Sequence, residues 1–272
     1  MEKNILVPID FSENAFDAAL YASGLALEMG VRGIVLYHSD TAASNSRISE
    51  SADEIVKGME SIQQRLNDQT NLEITCLTDR DELTDGINRI VVSYNVDLVV
   101  MGITGRNRLG QRIIGSNVFR VSERAAVPVL IVPSGCKFQK IEHIALAVPI
   151  IADLGARIPR ETIKRFIDRL GAKLMILNVG MPRDKTPKSI LYSALSDLFE
   201  LFDDDEPSYH FPTAIGSTAN AISTFASDNH AQLLICISGE QRAFQNLFSR
   251  SMTERLGYSS KVPLLIFKSL EA

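Results

Sequence analysis

Several features that would assign this chain to a specialised class are missing from its 272 residues. No run approaches the roughly 18 apolar residues of a membrane span. The formal net charge of -5 provides no strongly basic footprint for nucleic acid. The N-terminal stretch has one lysine before a short apolar run broken by Pro8 and Asp10, a poor signal peptide and a good first strand. We therefore expect a cytoplasmic protein that engages neither membrane nor nucleic acid.

Cysteine is also scarce, since the chain has only Cys76, Cys136 and Cys236 and no CxxC pair. This usage fits a reducing cytosol and argues against both a disulfide scaffold and a zinc cluster. Hydrophobic residues make up 45% and charged residues 22%, which is ordinary for a globular protein and excludes disorder as the main state. The length predicts about two domains.

Short apolar runs alternate with amphipathic helical patterns along the first half. Four or five apolar residues between helices are typical of a parallel sheet buried on both faces. The class is therefore α/β. The strands are expected at residues 5–9, 34–37, 72–77, 98–101 and 129–132, with helices at 15–26, 55–66, 83–94 and from 115 onward.

The second half repeats this order. Strands are expected at residues 144–148, 174–179, 209–211, 233–237 and 264–267, with helices at 158–170, 190–202, 219–226 and 252–258. The run VPVLI at 127–131 returns as VPLLI 135 residues later, and Leu98 and Ser116 return as Leu233 and Ser251 at the same interval. This period is too long for a solenoid. It indicates two domains, 1–136 and 141–272, joined near 134–140, where Gly135 breaks the last strand.

The most informative stretch is LVVMGITGRNRLGQRIIGSN at residues 98–117. A strand is expected to end at Met101, and a glycine-rich loop then leads to a helix opened by Gly115 and Ser116. Glycine lets backbone approach an anion closely, and a helix N-terminus offers free N–H groups. The pattern indicates phosphate binding. Arg106 is placed to contact phosphate, whereas Arg108 and Arg112 suit a solvated loop face.

Better-known nucleotide motifs are absent. Ser116 stands where a P-loop requires lysine, and no GxGxxG fingerprint is present. The signatures SGGxDS and HxGH of nucleotidyl transferases and ATP pyrophosphatases are also missing. We find no positioned general base in the loop, so we expect no catalytic residue and at most slow hydrolysis of a bound phosphate ester.

The loop resembles that of the universal stress proteins, whose ATP-binding members carry G-x2-G-x9-G-[S/T]. Gly102, Gly105, Gly115 and Ser116 match every position. The resemblance covers both halves and is that of a tandem universal stress protein. It implies two similar doubly wound domains of the adenine nucleotide alpha hydrolase-like type, each an open five-stranded parallel sheet flanked by helices. It also implies a nucleotide at the carboxyl ends of the strands.

The same resemblance implies which residues hold the nucleotide. Ribose and phosphates would be held by Gly102, Gly105, Gly115, Ser116 and the backbone of Asn117. The nucleoside end would be formed by Pro8, Asp10, Ser39 and Met101. Mg²⁺ is expected to bridge the phosphates without a protein cage. Asp10 equally suits a helix cap or a solvated turn, and His38 suits a packed histidine better than a base.

The second half departs from the motif. At the interval of 135 residues Gly102 becomes Ile237, Gly105 becomes Glu240 and Gly115 becomes Arg250. When Ile5 is aligned with Ile144, Pro149 replaces Asp10. The added side chains would crowd the phosphate, and Glu240 would repel it. We therefore predict one nucleotide site per chain, in the first domain.

Two functions are compatible with these features. The first is a regulatory, ATP-binding stress-response protein that presents nucleotide-dependent conformations to an unknown protein partner. The second is a nucleotide-free interaction scaffold or small-ligand module with the same tandem fold. The resemblance also implies an internal pseudo-dimer in which the last strands of the two halves pair, which would protect both edges. A homodimer of the whole chain is left open.

Overall fold

The computed structural model describes residues 3–40, 51–103, 116–149, 151, 154–178, 187–202, 206–211, 217–239 and 250–270. The chain divides into two compact units, residues 1–139 and 140–272. Within the described ranges, no helix is long and apolar enough to cross a membrane.

The first unit is a five-stranded parallel sheet with helices between its strands. The strands lie in the order β3-β2-β1-β4-β5. They are β1 (Asn4–Pro8), β2 (Gly33–Ser39), β3 (Glu73–Asp79), β4 (Val96–Ile103) and β5 (Val129–Pro133). The helices are α1 (Glu13–Glu28), α2 (Ala52–Asn67), α3 (Leu83–Ser93) and α4 (Ser116–Arg124). The predicted α/β class and parallel sheet are confirmed.

Helix α2 illustrates how the sequence defines an element. Ser51 caps the helix, because its side chain accepts from the Glu54 N–H while the Glu54 carboxylate accepts from the Ser51 N–H. Such a capping box satisfies two otherwise unpaired donors. The buried face repeats at three- and four-residue spacing, as predicted, and consists of Ile55, Met59, Ile62 and Leu66.

The second unit has the corresponding strand order, β10-β9-β6-β7-β8, again parallel. Its strands are β6 (His143–Ala147), β7 (Lys173–Leu177), β8 (Ser208–His210), β9 (Leu233–Ser238) and β10 (Leu264–Lys268). Its described helices are α5 (Leu154–Arg157), α6 (Arg160–Leu170), α7 (Lys188–Phe202), α8 (Thr218–Asp228) and α9 (Arg250–Ser259).

Strand register relates the two sheets residue by residue. In the first unit Ile5 pairs with Leu98, and in the second Ile144 pairs with Leu233. The same holds for β4 and β5, where Val99 pairs with Val129, and for β9 and β10, where Leu234 pairs with Leu264. The alignments used in the sequence comparison therefore correspond to structurally equivalent strand positions.

The first helical segment of the second unit differs from prediction. A helix over 158–170 is predicted, and the structure has α6 beginning two residues later, at Arg160. Pro159 separates it from the short α5, which was not predicted. Proline lacks an N–H and disfavours helical backbone in the residue before it, so the chain cannot pass through Ile158 as one helix. In the first unit the equivalent α1 is unbroken for 16 residues.

Candidate functional site

The candidate site lies where the strand order of the first unit reverses. Strands β1 and β4 are neighbours, with Leu6 beside Val99. From β1 the chain continues to β2 on one side, and from β4 it continues to β5 on the other. In open parallel sheets, diverging connections leave a crevice at the carboxyl ends of such strands, where ligands bind. Asp10 follows β1 at this edge, and Gly102 lies near the end of β4.

Gly102 corrects the prediction that the strand ends at Met101. Strand β4 runs on to Ile103, and Gly102 pairs with Val132 of β5. A Cβ at Gly102 would lie 2.2 Å from the carbonyl oxygen of Asn14 in the first turn of α1. The absence of a side chain is therefore required for α1 to approach β4, independently of any ligand.

Asp10 organises the turn between β1 and α1. Its exposed carboxylate accepts hydrogen bonds from the Ser12 N–H at 3.1 Å and the Ser12 hydroxyl at 2.6 Å. Ser12 in turn caps α1 by accepting from the Ala15 N–H at 3.2 Å. Asp10 therefore does not cap α1 directly. It is a turn residue that orients the capping side chain of Ser12. One of its oxygens is engaged, and the carboxylate faces solvent.

Phe11 follows Asp10 in the turn after β1, and the sequence analysis did not single it out. Its backbone has a positive φ of 59°, which is uncommon for an aromatic residue. Its ring lies 4.6 Å from the ring of His38, and Gly58 of α2 leaves room for it. His38 Nδ1 donates to the Ile9 carbonyl at 2.8 Å, so the prediction of a packed histidine is confirmed. The rings of Phe11 and His38 therefore pack against each other, and Phe11 is the residue directly after Asp10.

The remaining residues of the predicted nucleoside end follow the strand ends. Pro8 is half-buried and pairs with Tyr37, while Met101 is buried and pairs with Ile131. Ser39 ends β2, and its hydroxyl donates to the Asp81 carbonyl at 2.7 Å. Its side chain is therefore already engaged by the connection from β3 to α3.

A network of aspartates and arginine secures that connection. The Tyr37 hydroxyl donates to Asp79 at 2.6 Å, and Arg89 of α3 bridges Asp79 and Asp81, with Nε 3.0 Å from Asp81. Burial, followed by the bond to Asp79, raises the pKa of Tyr37 well above its ordinary value. The hydrogen bond that Arg89 donates to Asp81 raises the pKa of Arg89. These contacts fix the backbone beside Ser39.

Helix α4 begins at Ser116, the last position of the glycine motif. Arg120 Nη2 donates to Asn117 Oδ1 at 2.9 Å and lies 2.8 Å from Glu82 Oε1 at the start of α3. Asn88 holds the other end of α4, accepting from the Ala126 N–H and donating to the Arg124 carbonyl. Of the predicted phosphate residues, Gly105, Arg106 and Gly115 lie outside the described residues, as does the side chain of Ser116.

The equivalent edge of the second unit has different residues. Ile237, at the position of Gly102, is fully buried in β9, and Pro149 is buried at the position of Asp10. Asn178 donates to the Val148 carbonyl at 2.6 Å, the equivalent of the bond from His38 to Ile9. This hydrogen bond beside the strand ends is therefore kept while the acidic and glycine positions are replaced. Glu240 and the side chain of Arg250 lie outside the described part.

Within the described ranges, no group of three or more His, Cys, Asp or Glu side chains is placed to hold a metal ion. Cys236 is buried, and Cys76 and Cys136 are half-buried free thiols. Burial raises the pKa of all three thiols above the usual value. Thiols that resist ionisation are poor nucleophiles, as expected for packing residues.

Comparison with known proteins assigns the first half of the chain to a family. Residues 1–133 match the universal stress protein family model. Universal stress protein MJ0531 of Methanocaldococcus jannaschii is 27% identical over 143 residues, which cover 48% of this chain and 81% of that protein. A universal stress protein from Archaeoglobus fulgidus has a similar crystal structure, with a TM-score of 0.66 and 18% identity, over 97% of this chain and 96% of that one. The crystal structure of protein PA1789 of Pseudomonas aeruginosa, described as functionally unknown, is also similar. Its TM-score is 0.64 at 14% identity, over 98% of this chain and 92% of that one.

The fold is that of an α/β protein with open parallel sheets flanked by helices, similar to the universal stress protein structure from Archaeoglobus fulgidus. Within that class, residues 1–133 form a universal stress protein domain.

Proposed function

We propose that the first unit binds ATP, with Mg²⁺ bridging the phosphates, and that the chain acts as a regulatory stress-response protein. The observation that carries this proposal is the position of the glycine motif. The motif begins in β4 at the strand-order reversal and ends at the start of α4, where helix N–H groups favour phosphate. Asp10 lies at the end of the neighbouring strand, with its carboxylate exposed.

We further propose that the second unit is a degenerate universal stress protein domain without a nucleotide site. The buried side chain of Ile237 and the replacement of Asp10 by Pro149 support this view. The chain would then hold one nucleotide, in the first unit, and would present nucleotide-dependent conformations to a protein partner. Nucleotide binding would act through conformations of different affinity. Hydrolysis would be slow at most, because the sequence of the glycine loop offers no positioned general base.

Thermal unfolding with and without millimolar Mg·ATP tests the proposal. Ligand at about a hundred times its dissociation constant stabilises the bound state by roughly 2.7 kcal/mol. We expect such a shift in the wild type and its loss in Gly115→Arg, which introduces the residue found at the equivalent position of the second half. Gly102 is unsuitable for this purpose, because any side chain there collides with Asn14 whether or not nucleotide binds.

Gly110→Arg is the matched control, since it adds the same charge to the same loop at a glycine that the motif does not specify. We expect it to retain the ATP-dependent shift. A wild type with no shift at saturating Mg·ATP would contradict ATP binding. An equal shift in wild type and Gly115→Arg would contradict this location.

A second candidate function, a nucleotide-free interaction scaffold, is favoured by one observation. The contact between Gly102 and Asn14 explains one motif glycine without any ligand. The scaffold predicts no response to ATP in the same unfolding experiment, and the protein would then purify without bound nucleotide.

A further inference from the structure

A chain of side-chain contacts links the two ends of the proposed site. It begins at Ser39 on the nucleoside side, whose hydroxyl donates to the carbonyl of Asp81. The next residue, Glu82, pairs with Arg120, and the same guanidinium nitrogen of Arg120 donates to Asn117 beside the phosphate motif. We call these five residues, Ser39, Asp81, Glu82, Arg120 and Asn117, the brace.

The nucleoside end of the brace is held firmly. Arg89 binds both Asp79 and Asp81, and Tyr37 donates to Asp79 from a fully buried ring. The Glu82 carboxylate has a second task, because it accepts from the Thr84 N–H at 2.9 Å and caps α3. Glu82 is therefore fixed by its own helix when it pairs with Arg120.

The other end of the brace lies in the first turns of α4. Arg120 is one turn along the helix from Ser116, so its contacts restrain the same turn whose N–H groups would face phosphate. With Glu82 as the anchor, Asn117 and that turn are held relative to the end of β2. A displacement of binding groups by about 1 Å is enough to weaken ligand binding substantially.

We propose that Glu82 and Arg120 are positioning residues, which set the phosphate-binding end of α4 against the nucleoside end of the site. This role rests on the proposed ATP binding and deepens it. The two side chains are 41% and 39% accessible, while the contacting Oε1 atom of Glu82 is itself buried. The thermal midpoint of each variant therefore measures any loss of stability, and this loss is kept separate from the change in ligand affinity.

The test compares the dissociation constants for Mg·ATP and adenosine, measured by calorimetry on the full chain. Glu82→Gln keeps an oxygen to cap α3 but removes the charge that holds Arg120, and Arg120→Gln removes the pair from the other side. We expect each variant to bind Mg·ATP at least about fivefold more weakly, at the lower end of typical coupling between sites. Adenosine affinity should change less than about twofold, because its end of the site is held by Arg89.

Two control variants separate positioning from general effects. Asp85→Asn removes the same charge from the first turn of α3, and Asn88→Ala removes the contacts between α3 and the far end of α4. Both should leave the ratio of the two constants unchanged. Asn117→Ala, which keeps its backbone N–H, should weaken Mg·ATP, and combining it with Arg120→Gln should add little further loss.

The outcomes separate the two proposals. A wild type that binds no ATP overturns ATP binding and the brace together. A wild type that binds ATP, with the same ratio of constants in Glu82→Gln and Arg120→Gln as in Asp85→Asn, overturns the brace alone. If one of the two variants fails to fold, as judged by its thermal midpoint, the other and Asn117→Ala carry the same comparison.

Discussion

At the residue scale, one position can satisfy a packing requirement and a binding motif together. Gly102 matches the nucleotide motif, yet its nearest constraint is the carbonyl of Asn14. A sequence motif cannot separate these causes, because both require a residue without Cβ. The helix–strand contact explains Gly102 fully, so the case for phosphate at this site depends more on the positions that follow it.

The buried hydroxyl of Tyr37 is expected to make the free energy of unfolding depend on pH in alkali. Its hydroxyl is buried and donates to Asp79, which raises its pKa in the folded state above the ordinary value near 10. A raised folded-state pKa adds stability that is fully present below pH ~10 and is lost as pH rises above it. We expect Tyr37→Phe to be less stable than wild type at pH 8, by about 1 kcal/mol for the lost hydrogen bond.

Between pH 10 and pH 11, the free energy of unfolding should fall by about 1 kcal/mol less in Tyr37→Phe than in the wild type. Urea unfolding at pH 8, 10 and 11 measures both effects. Tyr192→Phe is the control, because Tyr192 is exposed on α7 and is solvated in both states. Parallel pH dependence of wild type and Tyr37→Phe would contradict this role of Tyr37.

At the element scale, the first turn of α1 joins fold and site. Ser12 caps the helix and also donates to Asp10, whereas Ser51 caps α2 through a capping box with Glu54. The two serines therefore have the same structural task, and only Ser12 contacts a residue of the proposed site.

We predict that Ser12→Ala and Ser51→Ala each lower the free energy of unfolding by about 1 kcal/mol, the usual cost of losing a cap. Only Ser12→Ala should alter Mg·ATP affinity, because it removes the hydroxyl bond to Asp10 and leaves only the weaker bond from the backbone N–H to orient the carboxylate. Urea unfolding and calorimetry on the same samples provide both quantities. An identical change of affinity in the two variants would mean that Asp10 does not contact the nucleotide.

Elements were more predictable from sequence than the contacts between them. Strands such as β1 and β9 followed from short apolar runs, and α2 followed from its buried three- and four-residue spacing. The break at Pro159 could have been foreseen from proline chemistry. The pairing of Tyr37 with Asp79 and of Glu82 with Arg120 could not, because these partners are far apart in sequence and no local pattern links them.

At the scale of the whole molecule, two units share one strand order but not one set of site residues. Equivalent strand pairs keep the same register, while Ile237 and Pro149 replace Gly102 and Asp10. Packing preserves apolar strands in both units, because each sheet needs them for its core. No such requirement preserves an exposed carboxylate such as that of Asp10, so a half without a ligand can lose it at little cost in stability.

The claim of one nucleotide site per chain is decided by the binding stoichiometry of Mg·ATP, measured by calorimetry on the full chain. We predict one nucleotide per chain and no measurable binding in Gly115→Arg. Two nucleotides per chain would contradict the inactive second unit. Residual binding in Gly115→Arg with unchanged affinity would contradict the assignment to the first unit, and no binding to the wild type would contradict the proposed function itself.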